Sequence, residues 1–273
     1  MKFLPYTSLI EKCAFFLNRS FCAVVLLFLI VPLLVIIPLS FNSGSYLTFP
    51  LAGLSWRWYE SLLSSHNWKL AFVNSTVIAL ITTVVATTLG TAAAIGLKRL
   101  SPAYAKPITF LILSPIVVPV VITAMGAYFL YSPLGLVNNL SGIVLAHTVL
   151  AVPFVVVTVM ATLEGFDTNL LRAASSLGAS PFVAFRRVAL PMIYPGVISG
   201  ALFAFAVSFD DIVVALFLAG PHQRTIPVQM FNGVREEINP IIAAAATLLV
   251  LLSALLLVVV EYLRRRSQRL AST

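Results

Sequence analysis

Six long apolar runs divide the chain, at about residues 21–40, 70–97, 107–131, 141–163, 195–219 and 240–263. A helix needs about 20 such residues to cross the hydrocarbon of a bilayer. The pattern therefore predicts an all-α membrane protein with six transmembrane helices, and one transmembrane domain over 1–273. An island at about 164–194 breaks the pattern with charges, Gly and Pro. Asp167 or Thr168 predicts a helix cap there, because a side-chain oxygen can accept from the free N–H groups of a first turn. Gly178 predicts a left-handed helix end, and Ser180-Pro181 the cap and first residue of a second short helix. Leu170, Ala173, Ala174 and Leu177 fall at i, i+3, i+4 and i+7, one apolar face about two turns long. Such a face, with small residues at its centre, predicts a docking surface.

Within the spans, polar and breaking residues carry the information. The second run holds Asn74-Ser75, Thr76, Thr82, Thr83, Thr87, Thr88, Gly90 and Thr91. Small and hydroxylated residues let helices approach closely and hydrogen-bond across an interface, so this span is expected to be interior or at a subunit contact. Pro115 and Pro119 predict a kinked or unwound third helix, which either lines a cavity or improves packing. The loop from Phe41 to Lys69 predicts a short helix from Ser55, with Trp56, Trp58, Tyr59 and Trp68 at headgroup depth. His147, in the fourth run, reads as an interhelix hydrogen-bonding contact or as a proton relay.

Composition closes off several classes. At 60% hydrophobic and 10% charged residues, the chain is no soluble globule, which carries about a quarter charged residues. Of the 17 basic residues, Lys2, Lys12, Arg19, Lys98, Arg99, Lys106, Arg172, Arg186, Arg187, Arg264, Arg265, Arg266 and Arg269 fall on one side of the spans. Arg57, Lys69, Arg224 and Arg235 fall on the other. The positive-inside rule puts both termini and the 164–194 island in the cytoplasm. The net charge of +8 is then a topology signal, since it flanks spans instead of forming the single patch that nucleic acid requires. The first run is about 19 residues with no small-x-small site after it, which predicts a retained span. Cys13 and Cys22 are the only cysteines and predict no structural disulfide. No metal-ligand spacing and no Gly-x4-Gly-Lys-Ser/Thr phosphate loop occurs.

Asp210 and Asp211 are the acidic pair inside a run. A lone carboxylate in hydrocarbon costs several kcal/mol, so each must be paired, protonated or facing water. Two readings stand. The pair is structural, one carboxylate on backbone and the other on a Thr or on His147, or it is a cation site lining a pathway.

Ala173-Ala174, Gly178 and Val188-Ala189-Leu190-Pro191 resemble the EAA loop of permease subunits in bacterial ABC importers. The pattern is Glu-Ala-Ala, three residues, Gly, nine residues, then an aliphatic residue, any residue and Leu-Pro. The spacing matches throughout, and Arg172 stands at the Glu position. The resemblance implies a coupling helix between spans four and five that sits in a groove of an ATPase subunit. Its contact residues would be Leu170, Arg172, Ala173, Ala174, Leu177, Gly178, Leu190 and Pro191. Ser208-Phe209-Asp210-Asp211, Phe217 to Pro221, Thr225 to Val228, Trp58-Tyr59-Glu60 and Asn74-Ser75 resemble the spermidine/putrescine subgroup.

The resemblance implies a multi-pass subunit of the bacterial inner (cytoplasmic) membrane that imports a small cationic solute, such as putrescine or spermidine, from periplasm to cytoplasm. It implies a second permease subunit, a dimer of ATP-binding subunits and a periplasmic solute-binding protein as partners. ATP and Mg would be held by the ATPase, with no cofactor in this chain and no enzymatic activity of its own. Asp210 and Asp211 would line the substrate pathway. An ion-coupled secondary carrier using Asp210, Asp211 and His147 remains open, as does the same importer class serving another solute. A membrane hydrolase would need a nucleophile and base; Ser114 and Ser208 have no base beside them in sequence.

Overall fold

In hydrocarbon every backbone N–H and C=O must be satisfied within its own segment, which turns the apolar runs into helices. A computed structural model describes residues 9–271 except 166, 168, 237 and 238, with side chains over 13–255. In chain order the helices are α1 (Leu9–Ser40), α2 (Arg57–Ser64), α3 (His66–Arg99), α4 (Pro102–Val117), α5 (Val120–Tyr131) and α6 (Leu140–Glu164). There follow α7 (Asn169–Ser176), α8 (Pro181–Ala184), a π-helical turn over Phe185–Ala189, α9 (Leu190–Asp210), α10 (Val213–Leu218), α11 (Ile226–Glu236) and α12 (Pro240–Ala271).

Four helices among the described residues are long and apolar enough to cross a membrane. A fifth span is made if α4 and α5 count as one, and these two are bent by 101°. The third apolar run is thus not one kinked helix. Val118 and Pro119 take extended backbone (ψ 130° and 128°) between the two pieces. Proline supplies no N–H and disfavours helix at the residue before it, so the chain breaks there. Pro115 stays inside an intact α4. The fifth run also differs from expectation. The second short helix from Ser180 does not stop, but continues through the π turn as one 30-residue helix, Pro181–Asp210. The run expected to reach 219 breaks after Asp210.

The chain divides into two compact units, Met1–Ser64 with Gly233–Val260, and Ser65–Asn232 with Glu261–Thr273. In the first, Asn42 organises the loop after α1. Its Nδ2 donates to the Tyr46 carbonyl, and its Oδ1 accepts from the N–H groups of Gly44 and Ala52. The Trp58 indole donates to the Asn42 carbonyl at 2.7 Å, and the Ser40 and Tyr59 hydroxyls share a hydrogen bond. Trp58 is therefore buried against protein, unlike the exposed Trp56.

The second unit is built on α3, α6 and α9. Ala86 and Ala94 of α3, Ala151, Val155, Val156 and Val159 of α6, and Ile193 and Ala204 of α9 form its core. Between lipid-exposed helices the gain comes from close packing, since lipid is as apolar as the interior; small residues provide it. Val155 lies between two glycines. A Cβ on Gly90 would stand 2.6 Å from the Val155 Cβ, and one on Gly200 would stand 3.0 Å from the Val155 Cα. A second cluster joins Ile78, Ile143, Val144 and Leu150 to Val214 and Leu218 of α10. Trp68, expected at headgroup depth, is buried at the start of α3.

Candidate functional site

The cytoplasm-assigned hairpin forms as its residues dictate. The Asp167 carboxylate accepts from the Asn169 N–H at 2.9 Å, while Thr168 lies outside the described residues. At the other end of α7 the Gly178 N–H donates to the Ser175 carbonyl and the Ala179 N–H to the Ala174 carbonyl, at 2.9 and 3.1 Å. This paired closure requires a left-handed residue, and Gly178 has φ +85°. Ser180 accepts from the Val183 N–H, with Pro181 first in the next helix.

The hairpin has an outer and an inner side. Leu170, Arg172 and Ala173 are exposed, and Leu177 is 88% exposed. Ala174 and Leu190 are half-buried and Pro191 is exposed. Leu190, together with Leu171 and Phe185, packs against the α3–α6–α9 core. Leu171, which no sequence pattern singled out, accepts at its carbonyl from the Ser175 hydroxyl at 3.0 Å and packs inward where Leu170 and Leu177 are exposed. A groove of about 630 Å³ opens beside the hairpin, lined by Thr87, Thr91, Arg99, Phe185 and Val197 among others. The acidic pair does not line it.

The acidic pair lies at the break that follows α9. Asp211 is extended (φ −67°, ψ 127°), and its Oδ2 accepts from the Ala215 N–H in the first turns of α10 at 3.1 Å. The same Oδ2 is 3.3 Å from His147 Nε2. That approach is within ion-pair range, yet the ring N–H is not aligned on the oxygen as a hydrogen bond. His147 Nδ1 is 2.9 Å from Ser208 Oγ. His147 is fully buried and the Asp211 side chain is 9% exposed. Asp210 differs from its neighbour. It is exposed and makes no hydrogen bond or ion pair among the described residues. Ser208, a nucleophile candidate without a visible base, does meet His147, and its hydroxyl is buried between α9 and α6.

The Thr-rich helix α3 is interior, as expected, but among the described residues its threonine hydroxyls do not bond across to a neighbouring helix. Thr76, Thr83 and Thr88 donate to the carbonyls four residues back instead of to another helix. Thr82, Thr87 and Thr91 hydroxyls are buried without a partner among the described residues. Asn74 and Ser75 act at longer range. Asn74 Nδ2 donates to the carbonyls of His222 and Arg224, and Ser75 Oγ accepts from the Ile226 N–H. Two motifs far apart in sequence are thereby one clamp holding the loop between α10 and α11.

The helical arrangement matches solved permease chains. One from a bacterial ABC transporter involved in import of the acidic polysaccharide alginate superposes with TM-score 0.71, over 96% of this chain and 99% of that one. A chain of the MetNI methionine ABC transporter gives 0.61, over 74% and 99%. At 14% and 18% identity these likenesses speak of the fold. The spermidine/putrescine transport system permease protein PotC of Haemophilus influenzae is 32% identical over 226 residues, 83% of this chain and 88% of that protein. The putrescine transport system permease protein PotI of Escherichia coli K12 is 36% identical over 222 residues, 79% of each. The family model for the binding-protein-dependent transport system inner membrane component matches residues 86–269. The chain belongs to that family: it is a multi-pass permease subunit of an ATP-driven importer, a transport component and not an enzyme.

Proposed function

We propose that this permease moves a polyamine, putrescine or spermidine, from periplasm to cytoplasm across a bacterial inner membrane. The observation that carries the reading is the break after α9, which leaves Asp210 at the last helical position and Asp211 in extended backbone within the fifth apolar run. A broken helix is the usual way a transporter offers charge and free backbone to a solute. The last turn of α9 leaves carbonyls without intrahelical donors, and its dipole end adds negative potential beside Asp210 and Asp211. An amine suits that end and an anion does not. The names of the relatives above point the same way.

Six spans with both termini cytoplasmic fit the basic residues best, with α4–α5 as one broken span and α12 as the last. On that topology His147 lies seven residues into α6, about 10 Å below its external end at 1.5 Å per residue. The acidic pair is then in the outer half of the membrane. The α7 hairpin would sit in a groove of an ATPase dimer that holds ATP and Mg, with a second permease alongside and a periplasmic binding protein delivering solute. The deciding measurement is uptake of labelled putrescine and spermidine by the reconstituted complex. ATP-dependent uptake supports the reading; uptake driven by an ion gradient without ATPase would favour a secondary carrier. An active complex that ignores both amines would redirect the search to another solute.

A further inference from the structure

We infer that the two carboxylates have separate tasks. Asp210 is the one that meets the amine, and Asp211 is withdrawn from the pathway by His147, which acts as a positioning residue for the break. The cargo in this statement rests on the polyamine reading; the geometry does not.

Asp211 has its oxygen committed twice. Oδ2 accepts from the Ala215 N–H and stands 3.3 Å from the imidazole. A carboxylate only accepts, so a hydrogen on His147 Nε2 is what makes this 3.3 Å approach favourable, although that N–H is not aligned on the oxygen as a hydrogen bond. In the neutral ring Nδ1 is then an acceptor, and the Ser208 hydroxyl donates to it across 2.9 Å. The ring thus ties α6 to the last turn of α9 through Ser208, and to the start of α10 through Asp211. Three segments are fixed about one buried side chain. Removing the ring would leave Asp211 as a buried carboxylate without its partner, a costly state that the chain relieves by moving the break.

Asp210 is the residue this arrangement presents. It is the last helical residue of α9 and has no partner among the described residues. Asp210 closes α9 while Asp211 has already left the helix for extended backbone, and with Asp211 held against α6 the Asp210 side chain stays exposed. An exposed carboxylate cannot rest against lipid tails; it needs water or a partner subunit beside it, and on the polyamine reading that is where the solute would pass.

The test uses the complete complex in proteoliposomes, with Cys13→Ser and Cys22→Ser as background. In Asp210→Cys the thiol should react with a cationic methanethiosulfonate at least tenfold faster than in Asp211→Cys, and adding His147→Ala to the latter should raise its rate. For labelled putrescine, Asp210→Asn should raise KM at least tenfold. His147→Ala should raise KM about fivefold with kcat within twofold, and His147→Gln, whose amide can still donate to Asp211, should restore most of it. Asp211→Cys reacting as fast as Asp210→Cys would overturn the division, as would His147→Ala with native KM, or His147→Gln as impaired as His147→Ala. Should the native complex take up no amine at all, the polyamine reading fails and the thiol rates alone still decide the geometry.

Discussion

Gly90 of α3 and Val155 of α6 meet with no room for a single methyl group: a Cβ at position 90 would lie 2.6 Å from the valine Cβ. Overpacking a tight crossing costs about 1–3 kcal/mol. Gly90→Ala should therefore lower the melting temperature of the solubilised complex. Combining it with Val155→Ala should recover part of the loss. Full stability of Gly90→Ala alone would mean that the α3–α6 crossing is looser than described.

Gly178→Pro strikes the hairpin from two directions. Proline fixes φ at about −65° where the chain needs +85°, and it removes the N–H that closes on Ser175. Nothing surrounds the Gly178 Cβ position within 4 Å, so crowding is not part of the effect. Membrane levels should hold while uptake and ATPase stimulation by loaded binding protein fall at least tenfold. Normal uptake would remove the coupling assignment.

Leu177 and Leu171 separate docking from folding. Leu177 is 88% exposed, and a substitution there should change the stability of the chain by no more than about 0.5 kcal/mol. Leu177→Asp should nevertheless lose co-purification of the ATPase subunit. Leu171→Asp, which places charge against the core cluster, should lower the amount of folded protein instead. At the neighbouring exposed position, Arg172→Glu should cut ATPase stimulation if an acidic groove residue meets it; an unchanged coupled rate would argue against that contact.

Asn74→Ala should release the loop between α10 and α11. Two donations, to the carbonyls of His222 and Arg224, would be lost, each worth about 1 kcal/mol. Faster amide hydrogen exchange at Ile226 and across residues 219–225 is the expected sign. Protection equal to native would show that Ser75 and packing suffice.

The apolar runs were legible as helices, and the hairpin almost residue by residue, because Asp167, Gly178, Ser180 and Pro181 each act through local backbone chemistry. The breaks were less so. Residues 195–219 read as one run because Ile212 to Leu218 are as apolar as the helix before them, and the turn at Asp211 is stabilised by His147 from another helix. Trp58 shows the same limit: its indole partner is a backbone carbonyl sixteen residues away, which no aromatic pattern announces. Pro119 broke its helix and Pro115 did not, although sequence gave them equal weight. The contact of Ser208 with His147 spans 61 residues and belongs to tertiary structure alone.

The π turn at Phe185–Ala189 sets a phase. One extra residue in a helical turn rotates everything beyond it by about 100°, so the azimuth of Ser208 and Asp210 relative to the α7 hairpin is fixed by five residues at the far end of the same 30-residue rod. A rod without a loop in it transmits torsion as well as tilt. Twisting the hairpin would turn Asp210, and the angular offset between the two ends is written into the backbone at Phe185–Ala189.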